Sequence, residues 1–390
     1  MRLAWLYPEH WGRDLPRVRA GAATMRALAE KGCEVHFVVG RFWGLKARLA
    51  DLGMKSVPNL RIEPVFMAQT GPGLALPFNH HGVYNSCALA RLKRLAGRGV
   101  DAVWVRHLKL ADFLLAHTGN HGLRLVYEAH EIFSQTAREE GMNPEKLARL
   151  EAMEKRVLKG ADKVAAISSP LAEALAPMVR ESGPLPLVPS GVDRAFFLPL
   201  ENRRQPGLVA YAGSLAPWKG VDLLLRALAK TRKTRLEILG GEENGRDWQR
   251  VSELADKLSV QDRLVLRAKA GQDQVRELLS RARVAVWPGA GAMRISAEFT
   301  SPLKLFEYLA AGCAVIAPDL PAARAVLEPD KDAVLFTPDD PDSLALAMDN
   351  LAEKPELSAS LGQRGQKTAG KYTWEQRAQT MISVIKELSN

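Results

Sequence analysis

The sequence predicts an α/β protein built from two doubly wound, Rossmann-like domains. Short apolar runs of strand length alternate with amphipathic segments along the whole chain, the pattern of βαβ units and parallel sheets. One Pro-bracketed polar stretch near the middle, Leu198-Pro199-Leu200-Glu201-Asn202-Arg203-Arg204-Gln205-Pro206-Gly207, interrupts that alternation. The length of 390 residues exceeds what one core ordinarily holds, and 47% hydrophobic with 25% charged residues is ordinary globular material. The expected layout is an N-terminal domain at 1–198, a linker at 199–207 and a second domain at 208–372. A C-terminal helix at 373–390 is expected to pack back toward the first domain.

In chain order, Arg2–Tyr7 reads as the first strand, Pro8–Asp14 as a loop, and Pro16 opens a helix that Gly32 ends. Strands follow at Cys33–Val39, Arg61–Met67, Ala102–Val105, Leu123–Glu128, Lys163–Ile167 and Leu185–Val188. The helices between them are expected at Val83–Ala96, Lys109–His117, Glu145–Lys159 and Ser169–Met178. After the linker the strands are Leu208–Ala212, Arg235–Leu239, Leu264–Leu266, Val284–Trp287, Cys313–Ala317 and Ala333–Phe336. Their helices are Val221–Lys230, Trp248–Leu258, Gln272–Ser280 and Ser343–Ala352, and two more, Glu356–Ala369 and Trp374–Leu388, finish the chain.

Net charge is +10, and the excess sits in the first half: residues 1–195 carry 27 Lys and Arg against 19 Asp and Glu, the rest 27 against 25. Such a half suits an anionic substrate or membrane surface; no basic run with interleaved aromatics argues for nucleic acid. Arg91, Lys93, Arg94 and Arg98 with Leu89, Leu92 and Leu95 form a basic amphipathic helix, either lying on an anionic bilayer or packed on its sheet with a solvated face. Cys33, Cys87 and Cys313 have neither disulfide nor metal-ligand spacing, and no apolar run reaches membrane-spanning length. The expectation is a cytoplasmic protein, peripheral on the membrane at most. The closest acidic groups, Asp330 with Asp332 and Asp339-Asp340 with Asp342, lie in late loops and read as solvated surface, so no metal site is expected.

Four stretches carry chemistry. Ser301–Ala317 reads as a turn, a helix with Ser301 as cap and Pro302 at its first position, Gly312 as stop, and a buried strand. It puts Lys304 beside a helix N-terminus, where anions are favoured, and Glu307 one turn on, able to accept from sugar hydroxyls; the competing reading is an ordinary surface Lys/Glu pair. Tyr211–Asp222 reads as a strand, a turn at Gly213-Ser214, and a helix whose first turn presents Lys219-Gly220, a geometry suited to a diphosphate. The strand Leu125–Glu128 delivers His130 and Glu131 to its C-terminal end, while the other seven histidines read as core or loop residues. Gly12-Arg13 offers a backbone approach and a helix N-terminus to an anion, or is a plain loop.

Glu307-Tyr308-Leu309-Ala310-Ala311-Gly312 with Ala314–Ala317, the strand-then-His segment ending in His130-Glu131, and Tyr211–Asp222 with Lys219-Gly220 come in a telling order. With Pro189-Ser190-Gly191-Val192-Asp193 and Trp287-Pro288, they resemble retaining glycosyltransferases of family 4, the glycosyl transferases group 1, which have the two-domain GT-B fold. The resemblance implies metal-independent transfer from a nucleoside-diphosphate sugar, UDP or GDP, to a glycan, lipid-linked or small-molecule acceptor across a cleft. It implies no required cofactor and a place in the synthesis of cell-surface polysaccharide, glycolipid or related glycan. By resemblance His130, Glu131 and Lys219 are catalytic. Gly12, Arg13, Gly213, Ser214, Lys219, Gly220, Ser301, Leu303 and Lys304 border the diphosphate; Glu307, Ala268 and Lys269 hold ribose and base. The chain departs from the family at Phe299, where an earlier Glu is expected with Glu298 one residue out of register, and at Ser214, where an arginine is expected. Lys304 is the candidate to replace that cation. A nucleotide-sugar epimerase or a non-catalytic binding protein of the same fold are the alternatives; a dehydrogenase would need a G-x-G-x-x-G turn after a strand, and none is present.

Overall fold

A computed structural model describes residues 1–9, 11–67, 80–118, 122–180, 183–200, 204–269, 271–289, 291 and 294–389. They form two compact units, Met1–Gly191 with Trp374–Asn390, and Val192–Thr373.

The first unit holds strands β1 (Arg2–Leu6), β2 (Glu34–Gly40), β3 (Leu60–Val65), β4 (Ala102–Val105), β5 (Arg124–Ala129) and β6 (Lys163–Ala166), all parallel in the order β3-β2-β1-β4-β5-β6. The second holds β7 (Gln205–Ala212), β8 (Arg235–Leu239), β9 (Leu264–Arg267), β10 (Ala282–Val286), β11 (Ala314–Pro318) and β12 (Ala333–Phe336), again parallel, in the order β12-β11-β10-β7-β8-β9. Each order reverses once, between β1 and β4 and between β7 and β10, and the crevice at such a reversal is where doubly wound sheets bind ligands.

Strand pleating explains the apolar runs. Leu208, Ala210 and Ala212 enter one core and Val209 and Tyr211 the other, so both faces of the second sheet are covered and Leu208–Ala212 is a continuous apolar run. In the first unit Trp5 and Trp104, paired across β1 and β4, stack with centroids 6.4 Å apart. The C-terminal helix Trp374–Ser389 belongs to this core, adding Ala378, Met381, Ile382, Val384 and Ile385 beside Met25 and Leu28.

The structure departs from expectation in several places. The segment Leu185–Val188 makes only a single bridge, Leu187 to Ala166, because Pro184, Pro186 and Pro189 have no N–H for a ladder. Short helices at Leu45–Asp51, Phe133–Glu139 and Pro321–Arg324 were not expected. Of the expected linker, 201–203 lie outside the described residues. Arg204 is fixed in the second unit by the carbonyls of Leu279, at 2.9 Å, and of Ala282 and Ala311, and the Leu198 carbonyl accepts from Gln366. The chain crosses between units earlier, at Gly191–Val192, where Val192 N–H donates to the Tyr372 carbonyl at 2.8 Å. Leu92 and Leu95 of the basic helix His80–Ala96 are buried and Arg91 pairs with Glu63 at 3.0 Å. That apolar face is therefore used inside the unit, and attraction to an anionic bilayer rests on charge alone, which salt screens. Asp332, expected in solvent, is buried and accepts from Glu328 N–H and the Thr368 hydroxyl. No helix among the described residues is long and apolar enough to cross a membrane.

Because Ile385 is fully buried while its neighbour Lys386 is exposed, Ile385→Ala should cost about 2–5 kcal/mol in urea unfolding and Lys386→Ala within about 0.5. Similar small losses from both would show that the last helix is not part of the core.

Candidate functional site

In the second unit the reversal point is shaped by the turn after β7. Gly213 N–H donates to the Leu239 carbonyl at 2.8 Å, the Tyr211 hydroxyl to the Ser214 carbonyl at 2.7 Å, and Ala216 N–H to Ser214 Oγ at 3.2 Å. A short 3₁₀ turn, Pro217–Lys219, then leads to Gly220 and the helix Val221–Lys230. Gly220 has φ +77°, and a Cβ there would stand 2.7 Å from the Pro288 carbonyl oxygen that follows β10. Only glycine lets the turn lie against that neighbour.

Two ammonium groups meet at this turn. Lys304, on the helix Leu303–Ala310, runs across Gly213: a Cβ on Gly213 would lie 1.9 Å from Lys304 Cε and 2.0 Å from Nζ. Lys219 Nζ sits 3.4 Å from the centre of the Trp218 ring, and Lys304 Nζ 5.5 Å from that of Tyr211. Burial, and then repulsion from Lys304, bring the Lys219 pKa down to about 7. Burial also lowers that of Lys304, against the opposing charge of Glu307. Among the described residues neither lysine forms a salt bridge with a carboxylate. A pair of partly desolvated cations held together without a counter-ion is poised for an external anion.

The surrounding sequence-predicted residues take varied places. Ser301 is buried, but its side chain does not cap the helix; Pro302 occupies the cap position with φ −77° and ψ 104°, and Leu303 is the first helical residue. With ψ 104° Pro302 lies outside the helical range, so the helix starts one residue later than expected and the cap position passes from Ser301 to Pro302. Glu307 is half-buried one turn beyond Lys304. Ala268 and Lys269 follow β9, two strands from β7 and removed from the lysines; Lys269 is exposed and its N–H donates to the Gly241 carbonyl at 2.7 Å. Phe299 is 1% exposed within a π-helical turn at Ile295–Phe299, while Glu298 pairs with Arg294 at 2.8 Å.

In the first unit Tyr7 follows β1 and Arg106 follows β4, flanking the reversal point, with the Arg106 guanidinium 4.8 Å above the Tyr7 ring. His130 follows β5. Its Nε2 lies 2.6 Å from Glu128 Oε1, and Arg106 lies 3.4 Å from its Nδ1. An arginine can only donate, so Nδ1 carries the lone pair and the hydrogen is on Nε2, donated to Glu128. Burial and the Arg106 charge, opposed by Glu128, lower the His130 pKa to about 4 and keep the ring neutral. Burial works against the Glu128 charge, yet Arg377 and the His130 hydrogen bond hold its carboxyl well below the usual carboxylate range.

The partner of His130 is thus Glu128. Glu131 is bonded to Thr136, and burial raises its pKa. Gly12 and Arg13 form an exposed turn whose backbone is already engaged: Arg48 donates to the Trp11 and Arg13 carbonyls at 3.2 Å each. Sequence reasoning missed Glu128, Arg106, Trp104 and Arg377. The available signal was the acid inside Leu125-Val126-Tyr127-Glu128-Ala129, since a charge in a buried strand requires a buried partner.

Residues 195–368 match the family described as "Glycosyl transferases group 1", and residues 18–191 the "Glycosyl transferase 4-like domain". The chain is 28% identical to an MMP alpha-(1->4)-mannosyltransferase of Mycolicibacterium hassiacum, over 60% of this chain and 56% of that protein. It is 27% identical to a D-inositol 3-phosphate glycosyltransferase of Streptomyces avermitilis, over 67% and 60%. The chain thus spans less than two thirds of the length of either relative. Among solved structures, sucrose-phosphate synthase from Thermosynechococcus elongatus shares the fold with TM-score 0.77 at 19% identity, covering 100% and 99% of the two chains. HepE of Anabaena, in complex with UDP and glucose, does so with 0.72 at 16%, covering 99% and 100%.

The Gly213 contact is with the far end of a flexible side chain, so Gly213→Ala should fold, with some loss of stability from its φ of +159°, displace Lys304 and weaken inorganic pyrophosphate binding about tenfold by calorimetry. Gly240→Ala meets the Gly213 carbonyl oxygen at 1.7 Å, where no rotamer gives relief, and should instead lose thermal stability. Unchanged pyrophosphate affinity in Gly213→Ala would show that Lys304 does not contribute to anion binding.

Proposed function

The chain belongs to the family 4 type of GT-B glycosyltransferases, and on that premise we propose that it transfers a sugar from a nucleoside-diphosphate sugar to an acceptor hydroxyl, without a metal ion and with retention of configuration. The observation that carries the reading is the Lys304 ammonium over Gly213, with Lys219 near enough to feel its charge. As the bond from the anomeric carbon to the diphosphate breaks, charge develops on the leaving oxygens, and two desolvated ammoniums, with no salt-bridging carboxylate among the described residues, stabilise it. The acceptor hydroxyl attacks from the face the diphosphate leaves, and its proton passes to the departing diphosphate. His130, neutral and half-exposed, serves the sugar as a hydrogen-bonding group, not as an imidazolium.

UDP is the first candidate nucleotide, since HepE of the same fold has been solved with UDP and with UDP-glucose, and GDP is the second. The acceptor we place among anionic hydroxyl compounds, as a small molecule or a growing glycan. The basic first half of the chain supports this, as does a relative named for D-inositol 3-phosphate.

Binding a diphosphate requires Lys219 protonated. UDP affinity measured by calorimetry should therefore hold below about pH 7 and fall by up to tenfold per pH unit above it, as the free lysine loses its proton. Lys219→Arg should remove that dependence, and EDTA should leave the affinity unchanged. Affinity abolished by EDTA would overturn the metal-independent reading.

A further inference from the structure

We propose that the C-terminal helix positions His130, with Arg377 acting through the Glu128 carboxylate to fix the orientation and tautomer of the imidazole. Glu128 is fully buried on β5 and accepts from three elements at once, at 2.6 Å each: Trp104 Nε1 of β4, Arg377 of the last helix, and His130 Nε2. Arg377, 7% exposed, is itself locked. Its Nε donates to the Thr24 hydroxyl at 3.1 Å, and a terminal nitrogen to the carbonyls of Val188 and, at 3.0 Å, of Pro189. Packing alone would have been served by an apolar residue on this helix face, which otherwise carries Ala378, Met381 and Ile385 into the core. The guanidinium, 249 residues away in sequence, supplies charge and direction instead.

The consequence is electrical as well as geometric. A lone buried carboxylate beside His130 would draw a proton onto the ring; Arg377 takes up that charge, so Glu128 accepts the Nε2 hydrogen without protonating Nδ1. The charged and titratable groups around the ring are Arg106 from the end of β4, Glu128 from β5, Arg377 from the C-terminal helix, and Glu131 with Tyr127 on its own segment. Nδ1, whose only contact among the described residues is Arg106 at 3.4 Å, is left as the nitrogen open to a ligand. The functional side of the inference rests on His130 acting in sugar transfer.

The test is ¹⁵N-histidine NMR on the intact chain, with His130 assigned by His130→Gln and paired with kcat against pH. The wild type should show a neutral ring with hydrogen on Nε2 down to pH 5. Arg377→Gln should raise the His130 midpoint by about one pH unit or more, a tenfold gain in proton affinity, and the acid limb of kcat should rise with it. Arg377→Lys should stay near the wild type, and Glu128→Gln with Arg377→Gln should bring the midpoint back down. If Arg377→Gln does not fold, that double variant against Glu128→Gln keeps the comparison, with the higher midpoint expected in the double variant. A folded Arg377→Gln, or a double variant, with no movement of the midpoint overturns the proposal. A midpoint that moves while kcat stays flat overturns the catalytic reading of His130, and with it the positioning role.

Discussion

One buried carboxylate organises the first unit. Glu128 lies in a strand covered on both faces, where an ionised acid is tolerated only when its lone pairs are filled and its charge is met. Trp104, His130 and Arg377 do both. Each comes from a different part of the chain, so satisfying one acid ties β4, the loop after β5 and the C-terminal helix into a single arrangement. The helix Trp374–Ser389, whose apolar face already packs in this core, brings Arg377 to that carboxylate although the second unit precedes it in sequence.

The second unit treats charge in the opposite way. Lys219 and Lys304 are partly withdrawn from water and brought together, yet no acid forms a salt bridge with either among the described residues; Glu307 acts only from one turn away. A structural charge network is compensated, as around Glu128, while a binding site is left wanting charge until its ligand arrives. Gly213 is what permits this, because any side chain there would occupy the place of the Lys304 ammonium.

The alternation of strand and helix was legible throughout, since βαβ patterning is a local property of the chain. Proline-free strands such as Ala102–Val105 and Arg235–Leu239 fall where their apolar runs end. The misses follow from forces a single stretch does not display. Leu185–Val188 has a strand composition but prolines at its ladder positions, and Phe133–Glu139 is nucleated by the Glu154 carboxylate, which takes the N–H groups of Phe133, at 2.7 Å, and Ser134 from 20 or more residues away. For the site, Lys219, Lys304 and His130 could be picked from motif position. Glu128 was not singled out, because the need of a buried strand carboxylate for partners shows only once His130, two residues on, turns back to it.

The departures at Ser214 and Phe299 fit the lysine pair. Ser214 spends its hydroxyl and carbonyl on the local turn, so this turn places no cation there. On the proposed reading Lys304 supplies one instead, its chain running across Gly213 and its ammonium 5.5 Å from the centre of the Tyr211 ring. An arginine in that place would keep its charge at every working pH, whereas a desolvated lysine gains its proton most strongly when an anion is present. On the proposed function, the neighbouring Lys219, whose pKa burial and the Lys304 charge bring to about 7, links diphosphate affinity to a proton. A site that must let go of its leaving group after each turnover is served by cations of this kind.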